Sequence, residues 1–465
     1  ETEVNCRSFY LKLWYRLIIM NDQRIFPPNS ITAQDVTFAN LAAIGTPFYL
    51  YDAQLILARC AEIFKMMPSG IKFSPSYAVK ANPTKAILEL IGNEGFGFDA
   101  SSMNEVIRAA RACRTSWLTL TSQDVPMHQQ RQKLEFLLNH GIKYTACSMR
   151  QLELVADFAA NHQLRLSLRI HPGDGGSGES LSRNTANPYA SFGIHVSQLE
   201  EALRFAEKKS LLIDQLHQHI GSGASPEKWQ ASIDRLLEII ERHLFLLPDL
   251  RAINLGGGLK VARMPDEEKA DPAALGAYTA KQIQAFEERT GRALAVSVEP
   301  GTYLVANAGI IVTRVIDLKS TGKDGFRFVV TDGGMDLNTR PLMYGARHPF
   351  ALVSPSGELR SSEFDLSGVP EDSLWIPVGR CCETGDSHSM TPDGRIVPRR
   401  MAAPQIGDFF LIGGSGAYTA SMSPFNYNSY TRASEVIKRS DGSMKLIRRR
   451  QTLEQLMQDE KSLYD

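Results

Sequence analysis

Five short segments carry side chains that can do chemistry. Lys80 ends the apolar run Tyr77-Ala78-Val79-Lys80. A partly desolvated amine at a strand end can form a Schiff base with a carbonyl. A lysine snorkelling from the rim is the plainer alternative. His217-Gln218-His219-Ile220-Gly221-Ser222-Gly223 offers an imidazole to stack on a flat ring, and a hydroxyl with glycine N–H groups to hold phosphate. Two histidines at i, i+2 share a strand face. With no acidic or cysteine partner at ligand spacing, no metal is expected. Leu255-Gly256-Gly257-Gly258-Leu259 can crowd backbone N–H groups around an anion. It is neither a Walker A loop nor a G-x-G-x-x-G turn, so nucleotide and nicotinamide cofactors lose support. Glu299, in Val298-Glu299-Pro300-Gly301-Thr302, can hold a pyridine nitrogen protonated and make the ring an electron sink. Cys381-Cys382-Glu383-Thr384-Gly385-Asp386 sets a thiol beside a carboxylate, and Gly416-Ala417-Tyr418 follows.

The elements that must position these groups are legible as alternating strands and helices. Strand candidates are Ser76–Lys80, Leu118–Leu120, Tyr144–Cys147, Arg165–Ile170, Leu212–Ile220, Ala252–Leu255 and Val296–Glu299. Helical patterns separate them, as at Met103–Arg111, Met149–Phe158 and Trp229–Leu247. Repeated βα units imply a parallel sheet, and roughly eight of them fit a (β/α)8 barrel better than an open sheet. After Val305 the pattern turns mainly to strands, at Gly309–Thr321, Gly325–Asp332, Ser373–Val378 and Asp408–Leu411. Thr452-x-x-Gln455 reads as a capping box for a terminal helix. The expected organisation is an N-terminal appendage (1–26), strand joining the second domain (27–50), the barrel (51–305), and a β-domain with the terminal helix (306–465).

The 465 residues carry 51 Lys+Arg against 51 Asp+Glu, so bulk charge predicts no attraction to nucleic acid or to an anionic membrane. Six cysteines, four scattered and two adjacent, without C-x-x-C are no disulfide framework, which fits a reducing cytoplasm. The apolar run Phe9–Ile19, broken by Lys12 and Arg16, is too short to span a membrane.

Taken in order, the five segments resemble the fold-type III pyridoxal-phosphate decarboxylases, the family of diaminopimelate decarboxylase and eukaryotic-type ornithine decarboxylase. The resemblance runs from near Pro47 to the terminal helix. It implies that pyridoxal 5'-phosphate is held by Lys80, with His219 on its ring. Ser222, Gly256, Gly257 and Gly258 would lie at its phosphate and Glu299 at its nitrogen, with Gly301 beside it. Tyr418 would approach cofactor and substrate, and Asp99 and Arg169 resemble other pocket positions. Cys382 and Glu383 would enter the partner subunit's site, giving a homodimer with shared sites. Lys80 or Cys382 would return the proton after CO₂ loss. Alanine racemases of the same fold set an arginine against the ring nitrogen. Glu299 therefore favours decarboxylation, and the retained site argues against a non-catalytic binding homologue.

The loop Cys-Glu-x-Gly-Asp resembles the diaminopimelate branch, which acts on a D-configured carbon. There an arginine follows Glu-Pro-Gly and helps hold the distal carboxylate; here Thr302 stands instead. Arg340 and Tyr344 match the other two contacts. Losing one charged donor costs roughly 1.5–3 kcal/mol in a dry site. The expected substrate is therefore D-lysine or D-ornithine, giving cadaverine or putrescine. The alternatives are meso-diaminopimelate, then a carboxylated polyamine or siderophore precursor. In relatives a lysine often precedes Phe-Gly and bridges to the partner's loop aspartate. Ser191 stands here, so Asp386 needs another partner.

Overall fold

A computed structural model describes residues 24–39, 44–112, 117–173, 188–219, 221, 223 and 225–463. Most of the N-terminal appendage, the Gly/Ser-rich loop from 174 onward, and Ser222 lie outside the described residues.

Strand β1 (Phe48–Asp52) precedes the barrel. The barrel strands follow as β2 (Ser76–Ala78), β3 (Gly97–Ala100), β4 (Leu118–Thr121), β5 (Lys143–Ala146) and β6 (Arg165–His171). The short β7 (Ile194–His195) pairs beside β6, and β8 (Leu212–His217), β9 (Ala252–Asn254) and β10 (Ala295–Ser297) complete the set. All pairings are parallel, in the order β10-β9-β8-β6-β5-β4-β3-β2. The two ends meet through a parallel bridge between Phe73 and Val296, with Ser76 N–H donating to Val298 O at 2.9 Å. The sheet thus forms a nearly closed eight-stranded barrel. Helices between the strands present one apolar face to it. Pro226–Arg242 starts with proline in its first turn, is capped by Ser225, and buries Trp229, Ile233, Leu236, Leu237 and Ile240. Pro272–Thr290 is capped by Asp271 and stops at Gly291, whose φ of +70° suits a residue without a Cβ.

The strand β3 escaped the sequence pattern. Gly97 and Asp99 dilute its apolar signal, and pairing with β2 and β4 defines it. The run Leu212–Ile220 ends as strand at His217, just before the turn at Gly221 (φ +99°).

The second sheet holds β11 (Gly309–Ser320), β12 (Arg327–Thr331), β13 (Phe350–Val353), β14 (Leu359–Ser362), β15 (Leu374–Val378), β16 (Arg399–Arg400), β17 (Phe409–Ile412), β18 (Ser434–Lys438) and β19 (Met444–Arg448). β1 lies inside it, antiparallel to β11 and parallel to β18. The segment before the barrel therefore completes the β-domain. The stretch 27–50, read as strand, also carries the helix Ala33–Ala39. The terminal helix Leu453–Met457 has both halves of the Thr452–Gln455 capping box. Among the described residues no helix is long and apolar enough to cross a membrane.

Candidate active site

The C-terminal ends of the barrel strands converge on one pocket, the face where barrel enzymes place their chemistry. It is lined by Lys80, His219, Gly257, Gly258, Glu299, Gly301, Thr302 and Tyr418, with Ala78, Leu259, Pro300 and Tyr303. Eight of the residues singled out from the sequence thus share one wall.

Lys80 sits in a single 3-10 turn, Val79–Ala81, directly after β2. The β-domain grips this turn. Tyr418 N–H donates to Ala81 O at 2.9 Å, and Ser421 Oγ donates to Lys80 O at 3.1 Å. Asn82 Nδ2 reaches Gly416 O at 3.2 Å. Tyr418 itself is at φ +57°, an uncommon conformation for a residue with a side chain.

Glu299 is buried at the end of β10. Asn254 Nδ2 donates to its Oε1 at 2.7 Å, and His217 Nε2 stands 3.4 Å from its Oε2. Burial alone would raise its pKa. His217, His219 and Lys80 together outweigh that and hold it at about 2. Burial in turn lowers the pKa of His217. Asp99, on β3, goes the other way. Burial, then the charge of Glu299, pushes it well above the usual carboxylate range.

His219 takes a hydrogen bond from Gly257 N–H on Nδ1 at 2.8 Å, so its proton is carried on Nε2. Burial, then the charges of Lys80 and Arg169, pushes its pKa well down and keeps the ring neutral. Arg169 is buried on β6, in register with His217, and lies 4.8 Å above the Phe192 ring.

The residues present fit pyridoxal 5'-phosphate. An amine, an imidazole and a carboxylate share the pocket, and Asp99 Oδ1 is a buried acceptor with no hydrogen-bond partner among the described residues. A Cβ on Gly257 would come within 2.9 Å of Glu299 O and 3.0 Å of His219 Cε1, so only glycine leaves this floor open. The triplet divides its labour. Gly256 N–H is used by Asn254 Oδ1 at 2.8 Å and Gly257 N–H by His219. Of the three, Gly258 keeps an N–H with no acceptor among the described residues.

Other expected residues lie apart. Arg340 is fully buried at the start of the helix Arg340–Tyr344, its guanidinium 6.0 Å from the Tyr418 ring. Tyr344 OH reaches Met422 Sδ at 3.9 Å. Cys382 and Glu383 are exposed and do not line the Lys80 pocket of their own chain. Asn254 escaped sequence reasoning altogether, because nothing marks an asparagine at a strand end until Glu299 is seen beside it. Among the described residues no cluster of three potential metal ligands exists.

Residues 53–306 match the family described as pyridoxal-dependent decarboxylase, pyridoxal binding domain. The diaminopimelate decarboxylase of Escherichia coli is 30% identical over 443 residues, covering 92% of this chain and 99% of that protein. That of Neisseria meningitidis serogroup A is 32% identical over 452 residues, covering 93% and 99%. A crystal structure of diaminopimelate decarboxylase superposes with a TM-score of 0.80 at 28% identity, covering 93% of this chain and 97% of its own. The Helicobacter pylori diaminopimelate decarboxylase complexed with L-lysine gives 0.76 at 26% identity, covering 90% and 98%. With its barrel, its second sheet and the Lys80 pocket, the chain belongs to the pyridoxal-dependent decarboxylases and is a carboxy-lyase using pyridoxal 5'-phosphate.

Proposed function

We propose that the chain decarboxylates the D-configured centre of meso-diaminopimelate, giving L-lysine. The observation that carries this reading is the likeness to relatives named diaminopimelate decarboxylase over more than 90% of the chain. Arg340, buried 6.0 Å from the Tyr418 ring that borders the pocket, is a cation suited to a distal carboxylate. The D-lysine or D-ornithine reading has less behind it. It rests on Thr302 alone, a pocket residue that offers no positive charge.

Pyridoxal 5'-phosphate supplies the electron sink for the carbon–carbon bond that breaks. The residues do the rest. Lys80 would hold the cofactor through its amine. Glu299, hydrogen-bonded on Oε1, would keep a proton on the ring nitrogen. His219, fixed by Gly257 N–H, offers a neutral ring to the cofactor face. Lys80 or the partner subunit's Cys382 returns the proton to carbon. This assigns two chains to each site, so the working protein is a homodimer. Four free cysteines among the described residues suit a reducing cytoplasm.

The test is CO₂ release with pyridoxal 5'-phosphate from meso-diaminopimelate, D-lysine, D-ornithine and the L-forms. Turnover of meso-diaminopimelate well above the monocarboxylates is expected. Turnover confined to D-lysine or D-ornithine would overturn the proposal and restore the argument from Thr302.

A further inference from the structure

Asn254 closes β9 and is buried. Its side-chain oxygen accepts from Gly256 N–H at 2.8 Å, and its Nδ2 donates to Glu299 Oε1 at 2.7 Å. The orientation of this amide is dictated. A backbone N–H can only donate, so the carboxamide oxygen faces Gly256 and the NH₂ faces Glu299. A second link runs the other way, with Glu299 N–H donating to Gly256 O at 2.7 Å. Gly256 stands at φ +64°, and a Cβ there would lie 2.5 Å from His219 Nδ1. Asn254, Gly256 and Glu299 therefore form a closed hydrogen-bonded ring across the ends of β9 and β10. The ring joins the carboxylate to the glycine turn.

We propose that Asn254 is a positioning residue for the decarboxylation. It keeps Glu299 Oε1 an acceptor, so the proton shared between Glu299 and the cofactor's ring nitrogen stays on the ring. It also sets the spacing between that carboxylate and the glycine turn. Glu299 meets ionisable groups from several elements: His217 on β8, His219 just after it, Lys80 after β2 and Asp99 on β3. Of the groups named, Asn254 alone donates to Oε1 and has no proton to lose. The inference rests on the cofactor and is independent of which amino acid is the substrate.

The test is the ¹⁵N NMR signal of pyridoxal 5'-phosphate labelled at the ring nitrogen, added to apoenzyme without substrate. In Asn254→Ala the donor to Oε1 is gone, so Glu299 becomes the stronger base and competes for the proton. The wild type is expected to show a protonated ring nitrogen at neutral pH, and Asn254→Ala an unprotonated one. kcat on the substrate should fall roughly 10- to 100-fold, as for other outer partners of a reactive centre, with KM changed less than about threefold. Asn254→Leu, near in shape, also removes the donor without adding charge and carries the same measurement should the alanine variant not fold. A merely structural asparagine would lower the melting temperature and leave the nitrogen signal in place. A nitrogen that stays protonated in the folded variants overturns the proposal.

Discussion

Asp386 holds the backbone of Cys381 and Met335 at once. Its Oδ2 accepts from Cys381 N–H at 2.7 Å and its Oδ1 from Met335 N–H at 2.6 Å. The carboxylate is buried against Gly334 and Gly379, where any Cβ would collide with it. The absence of a lysine before Phe192 is thus met within the chain: Asp386 shapes the loop that carries Cys382. Asp386→Asn turns one oxygen into a donor facing a buried donor. The variant should lose about 1–3 kcal/mol, read from urea denaturation against wild type. An unchanged midpoint would refute this role.

Lys80 should be the only attachment point of the cofactor. Borohydride reduction of the loaded wild type should fix pyridoxyl phosphate to the peptide containing Lys80, detected by mass spectrometry. Lys80→Ala should take up no reducible cofactor and lose activity by on the order of 10³-fold or more. Label on any other lysine would count against the assignment.

Thr302 borders the pocket. Thr302→Arg should add a charge-assisted contact to a distal carboxylate and improve kcat/KM for meso-diaminopimelate by about one or two decades. D-lysine turnover should fall or stay level. No change with either substrate would remove Thr302 from the specificity argument.

His348 is fully buried, its Nδ1 2.8 Å from Gly413 O. Burial, then the charges of Arg263 and Arg340, pushes its pKa well below the ordinary histidine value. The unfolded chain takes up this proton below about pH 6.5 while the folded one does not. The contribution is whole above that pH and is lost as pH falls below it. His348→Gln should flatten the fall of unfolding free energy below pH 6.5 by about 1.4 kcal/mol per pH unit, measured by denaturation at several pH values.

The proposed sharing of sites between two chains makes a mixing prediction. Lys80→Ala and Cys382→Ala homodimers should each be nearly inactive. Dissociated and reassembled together, half the dimers are mixed, and each mixed dimer has one intact site. About one quarter of wild-type activity should return. Recovery of none would place both residues in the same chain's site.

The sequence by itself determined the chemistry-bearing residues and their order along the chain. It also determined the alternation of strand and helix from Ser76 to Ser297 that makes a barrel the economical fold. These are local signals: apolar periodicity, glycine runs, and a capping box at Thr452 that the terminal helix keeps. Tertiary structure alone decided what depends on pairing across long separations. Strand β3 is defined by its neighbours, and β1 lies between β11 and β18, more than 250 residues downstream. The barrel closes through Phe73 and Val296. The same reason governs the site. A lysine or a glycine triplet announces itself by type, but Asn254 matters only because β9 and β10 set it 2.7 Å from Glu299. Likewise Gly256 and Gly257 turn their amides inward to Asn254 and His219, a choice made by packing and invisible in a run of glycines.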